Sequence, residues 1–114
     1  MSELEQRLRS ALRTALRERD AVALGALRST LAALENATAV PSDGPLPLGS
    51  EHVAGSVAGL GAAEVPRREL TGPEAEAIVR AEIAERTAAA EQYGSSPAAD
   101  RLRAEAALLL HFLA

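Results

Sequence analysis

Leucine and alanine recur along both ends of the chain at the three-and-four spacing that puts them on one side of a helix, and the middle breaks that rhythm. Leu4, Leu8, Ala11, Leu12, Ala15 and Leu16 share a face. Ahead of them Ser2-x-x-Glu5 is a capping box, in which each side chain satisfies a backbone amide of the other, and it predicts a helix over 3–18. Asp20 follows a change of register and can cap a second helix over 21–37, whose Leu24, Leu27, Leu31 and Leu34 repeat in a coiled-coil-like pattern. A link of a residue or two makes these helices antiparallel neighbours. Gly25 inside the second helix costs about 1 kcal/mol relative to Ala unless another backbone comes near, and a close approach is expected there.

After the second helix the period dissolves. Residues 38–70 carry most of the Pro and Gly, and no helix survives that density of breakers, so a long mobile loop is expected. Thr71-Gly-Pro-Glu74 is a second capping box with Pro73 in the first turn, where its missing N–H does no harm; it opens a helix over 72–93 that Gly94 ends. Ser96-Pro97 starts a fourth helix over 97–113, with Leu102, Ala106, Leu109 and Leu113 on one face. The expected architecture is one all-α, four-helix bundle-like domain over 1–114, two antiparallel pairs joined by the loop.

One constellation interrupts the apolar pattern. On a wheel of the third helix, Ala75, Ile78, Val79, Ile83, Ala89, Ala90 and Tyr93 form one broad face, and Glu82 and Arg86 fall in its middle. They stand four apart with the acid first, the orientation in which such a pair meets. Charges within an apolar face are costly unless paired and hydrogen-bonded. Arg28 and Glu35 lie at the edge of the second helix's stripe and Glu105 flanks that of the fourth, so the five are expected to form one interhelical polar network. Fixing the register between smooth Leu/Ala faces is the favoured role, with a ligand site as the alternative. Tyr93 is expected to pack with its hydroxyl at the surface.

Composition narrows the chemistry. Aromatic residues are 2% of the chain, so the core must be Leu and Ala, which suits closely packed helices and not a sandwich or barrel. Without Cys there is no disulfide, thiolate nucleophile or Cys-based zinc site. His52 and His111 are too far apart in sequence to suggest a metal or catalytic cluster, and no cofactor or metal is expected. The formal charge of −4 opposes general nucleic-acid binding. All twelve basic residues are Arg, a bias that resembles a high-GC genome rather than phosphate recognition. Arg9, Arg13 and Arg17 nonetheless line one margin of the first helix and, with Arg67 and Arg68, are the candidates for contact with RNA or a partner. No apolar run approaches 18 residues and the opening MSELEQRLRS is charged, so a cytoplasmic protein without membrane contact is expected.

Three stretches together resemble a known family. LRSALRTALRERDAVALGALRSTLAALENA is similar to the opening helix pair of the GatB/YqeY-type proteins; RRELTGPEAEAIVRAEIAERTAAAEQY carries their Leu-Thr capping box, Glu-Ile-x-x-Arg and terminal Glu-Gln-aromatic; RLRAEAALLLHFL resembles the helix that closes their N-terminal domain. The family's recurring charges fall on Arg28, Glu82, Arg86 and Glu105. The resemblance implies a bacterial helical domain related to the C-terminal region of the B subunit of the Asp/Glu-tRNA amidotransferase, whose tail contacts tRNA while catalysis belongs to other domains. It implies a short form, since the small three-helix domain of longer members does not follow here, and the junction before the last helix is degraded to SSPAADRL. Two functional expectations follow. One is a non-catalytic module that binds a protein, such as an amidotransferase subunit; the other is a tRNA-binding accessory protein of amidotransferase-type carbon–nitrogen ligase chemistry, with weak tRNA affinity. A stand-alone amidase would need a Ser/Lys or Cys nucleophile system, and the chain has neither Lys nor Cys.

Overall fold

The structure, a computed structural model, describes residues 1–39 and 68–113. Among the described residues four helices build an all-α bundle: α1 (Glu3–Glu18), α2 (Ala21–Thr38), α3 (Gly72–Tyr93) and α4 (Pro97–Leu110), the last followed by a 3-10 turn at His111–Leu113. The second helix runs one residue further than its periodicity predicts, and the fourth tightens into the 3-10 turn over its final three residues. The expected loop over 38–70 begins inside α2 at Thr38, with Ala39 as the helix cap, and ends in the described residues 68–70; residues 40–67, with Arg67 and His52, lie outside the described residues.

Each boundary has a local cause. Both capping boxes close: Ser2 Oγ accepts from Glu5 N–H at 3.1 Å while Glu5 Oε1 accepts from Ser2 N–H at 3.3 Å, and Thr71 and Glu74 do the same at 3.2 and 2.9 Å. Leu70 and Ala75 occupy the staple positions flanking the second box, and both are buried. Asp20 and Ser96 cap α2 and α4 through the amides of Ala23 and Ala99. Helix α1 ends on Arg19 in the left-handed region (φ 57°), an unusual conformation for a residue with a Cβ; Gly94 closes α3 at φ 64°.

The short links make α1/α2 and α3/α4 antiparallel pairs, and α2 packs on both helices of the second pair. Leu8, Leu27, Leu34, Val79 and Leu109 are fully buried where the pairs meet. Each such side chain contributes roughly 1.5–3 kcal/mol of transfer free energy relative to an exposed one. The fully buried apolar residues of the last turns of α3 and the start of α4 are small, Ala90 and Ala99, which lets the two backbones run close together there. Tyr93 departs from expectation: at the last turn of α3 it is 60% exposed, because the chain leaves at Gly94 for α4 and no described element covers its ring.

Candidate functional site: a polar cleft across three helices

The interruption in the apolar face of α3 becomes a buried ion-pair network. Arg86 retains 8% of its exposure and spends its donors inside the fold. Its Nε donates to Glu105 Oε1 of α4 at 2.8 Å, and its Nη1 donates to Glu82 Oε1 and to the Glu82 carbonyl at 2.9 and 3.1 Å. Its Nη2 donates to the Ser29 hydroxyl of α2. Ser29 Oγ in turn lies 3.2 Å from Glu82 Oε1 as donor. Burial works against the Arg86 charge, but the hydrogen bonds to Glu82 and Glu105, and the charges of those acids, outweigh it and hold the guanidinium above its ordinary value. The second oxygen of Glu105 accepts from Arg101 Nε at 3.2 Å, and Arg101 Nη2 reaches back to the Ala21 carbonyl at the start of α2. One chain of charge-assisted bonds therefore joins three helices.

Gly25 explains how Glu105 fits. A Cβ at this position would lie 3.2 Å from Glu105 Oε2 and 3.4 Å from Arg101 Nη2, so the glycine leaves room for the carboxylate and its partner. The close approach is made by a side chain and not by the neighbouring backbone expected from the sequence.

Of the five residues expected in one network, the structure joins Glu82, Arg86 and Glu105 and leaves out Arg28 and Glu35. Glu35 lies on the margin of α2 that meets α1 and Arg28 falls on the same margin of the helical wheel, whereas Gly25 and Ser29 lie on the side that meets α3 and α4. Arg28 is exposed and forms no ion pair among the described residues. Glu35 pairs instead with Arg9 of α1, at 3.6 Å and with more than half of its side chain exposed. Ser29 and Arg101 take the two places. The sequence did hold a signal for Ser29, because Gly25 and Ser29 stand four apart and open a small polar notch in an otherwise Leu/Ala helix. Arg101 looks like any surface arginine.

The basic candidates are dispersed. Arg9 is tied to Glu35, Arg13 is exposed without an ion pair among the described residues, and exposed Arg17 donates to Thr14 Oγ1 at 3.2 Å. Arg68 pairs with Glu74 at 3.0 Å. That arginine and the capping amide of Thr71 hold the Glu74 carboxyl below its ordinary value, the backbone hydrogen bond being the larger cause. Arg7 lies over the Phe112 ring, 5.4 Å from its centroid, and donates to the Phe112 carbonyl.

An open cleft of about 380 Å³ lies over the network, lined by Ser29, Glu82, Glu85, Arg86, Ala89, Leu102 and Glu105. A second, of about 310 Å³, runs between α1, α2 and the end of α4 with an apolar floor including Ala15, Leu27 and Leu108. Among the described residues no group of three or more His, Asp or Glu is arranged to hold a metal ion, and no helix is long and apolar enough to cross a membrane. Comparisons with protein-family models, with curated proteins and with solved structures gave no match.

Proposed function

We propose that the chain is a non-catalytic helical interaction module of the GatB/YqeY type, a protein-binding domain of the kind associated with tRNA amidotransferases, working in the bacterial cytoplasm. The family part of this reading stands on the three sequence stretches quoted above. The observation that carries the choice of a protein over RNA is the mixed sign of the surface. Arg9, Arg68, Arg80 and Arg103 each stand within 4 Å of a carboxylate, of Glu35, Glu74, Glu76 and Asp100 respectively. A basic stripe that binds phosphate needs arginines free to replace counterions, and interleaved acids repel the same backbone. Within the cleft the Arg86 guanidinium is committed to Glu82 and Glu105, which supports a structural role for these groups rather than proton transfer.

The tRNA-accessory reading draws its support from Arg13 and Arg17, which are exposed and unpaired with any acid among the described residues. Fluorescence anisotropy with total tRNA at about 50 and 150 mM salt separates the two readings. Weak binding with a shallow salt slope, little changed by Arg13→Ala with Arg17→Ala, is the expected result. Sub-micromolar binding that persists at the higher salt and is lost in that double variant would replace the protein-binding reading with the tRNA one.

A further inference from the structure

The cleft over the network offers hydrogen-bond acceptors and almost no donors. Arg86, its one lining cation, directs Nε, Nη1 and Nη2 to Glu105, Glu82 and Ser29. Glu105 uses both oxygens, one for Arg86 and one for Arg101. Glu82 uses Oε1 twice, for Arg86 and Ser29, and its Oε2 accepts nothing from the described residues. Glu85, one residue before Arg86, is exposed and in no ion pair among the described residues. Glu82 and Glu85 stand three apart on α3, a spacing that puts them side by side on one face. The free polar capacity of the cleft is therefore carboxylate oxygen, on a wall whose lining charges are three acids to one base. Ala89 and Leu102 supply the apolar remainder of the lining.

We propose that this cleft docks an arginine-bearing segment of a protein partner. The guanidinium bridges Glu82 Oε2 and Glu85, and the methylene stem lies along Ala89 and Leu102. An anionic guest finds carboxylates and at most one uncommitted N–H of Arg86, so phosphate and carboxylate ligands are excluded. A neutral apolar guest would leave the Glu82 oxygen covered and unsatisfied. Arginine answers both demands because its planar fork engages two acceptors at once while its stem covers apolar surface. The opening, about 380 Å³, exceeds one side chain and leaves room for the flanking turn of the partner. This inference deepens the protein-binding reading above and rests on it.

The test is a titration of the full-length, isotopically labelled chain with an acetylated Arg-Leu amide, followed by amide chemical shifts, alongside the same probe with citrulline in place of arginine. Citrulline keeps the shape and removes the charge. Shifts confined to the surroundings of Ser29, Glu82, Glu85, Leu102 and Glu105, with citrulline about tenfold weaker, are expected. Glu85→Gln should weaken the arginine probe several-fold and leave the thermal midpoint in place, because Glu85 is exposed and in no ion pair among the described residues. Equal effects of the two probes, shifts that map elsewhere, or no shift up to ~10 mM would overturn the proposal. So would concentration-dependent self-association removed by Glu85→Gln, which would make a second copy of the chain, through its own exposed arginines, the occupant. Tight tRNA binding in the anisotropy experiment would remove the protein-binding reading without altering the arginine titration, so the two failures are distinguishable.

Discussion

Removing the Arg86 guanidinium is the sharpest perturbation of the network. Arg86→Ala takes away the partner of Glu105, whose side chain is 10% exposed, and of Glu82, which is 16% exposed. Truncating one member of a buried pair costs about 3–5 kcal/mol, because the other charge stays buried without compensation. Two features pull the figure toward the lower end. Glu105 keeps Arg101 on its second oxygen, and the open cleft lets water reach Glu82. An expected loss of about 3 kcal/mol corresponds to a fall in Tm of roughly 10–20 °C for a domain of this size. Urea unfolding followed by circular dichroism reads it directly, provided the slope with denaturant is unchanged. The companion variant must remove every buried charge of the cluster: Arg86→Met with Glu82→Leu alone would leave buried Glu105 with only the exposed Arg101, so Glu105→Leu has to be added. That triple variant should be less destabilised than Arg86→Ala, since apolar replacement of a whole buried cluster is often neutral or stabilising. A loss below about 1 kcal/mol for Arg86→Ala, or a triple variant as damaged as the single one, would refute the buried-pair argument.

Gly25→Ala should fail to deliver the gain of about 1 kcal/mol that helix propensity alone would give, because the new methyl meets Glu105 Oε2 at 3.2 Å while Arg86 and Arg101 hold that carboxylate in place. In an Arg101→Ala background the carboxylate can yield and the gain should return, which a double-mutant cycle in urea measures. Glu74, with its carboxyl held below the ordinary 4.5, contributes stability that is present above that value and lost as pH falls through the lower, folded one. A Glu74→Gln variant should therefore show a smaller drop in Tm than the parent chain on acidification below about pH 4.5; parallel curves would exclude the linkage. Leu34→Ala, at a fully buried position, should cost about 2–5 kcal/mol, and an effect under ~1 kcal/mol would place it outside the core.

The helices were legible because their punctuation is local: Ser2 with Glu5, Asp20, Thr71 with Glu74, and Ser96 with Pro97 each act within one turn. Glu82 and Arg86 were legible because two charges interrupt an apolar period that is otherwise continuous. Arg28 and Glu35 were misplaced for a geometric reason. A helix with neighbours on two sides has two margins to its stripe, and a wheel for one helix does not say which margin meets which neighbour. Ser29 is weakly marked in the sequence: its one signal is the notch it forms with Gly25, four residues earlier, and a serine on a helix breaks no period by itself. The register of Tyr93 fits the apolar face, but by the last turn that face has run out of partners among the described residues.

Polar ties bind α2, α3 and α4 to one another, and α1 takes no part in them. The first helix is held by Leu4, Leu8 and Ala15 in the core, by the exposed contact of Arg9 with Glu35, and by Arg7 on Phe112. With fewer polar ties, α1 is expected to open as its own cooperative unit before the cross-tied remainder. Amide protons of α1 should then exchange with solvent deuterium at a lower opening free energy than those around Ser29, Arg86 and Glu105, and each lifting event would bare the apolar floor at Leu27 and Leu108. On that expectation the bundle behaves as a tied three-helix frame with one detachable stave.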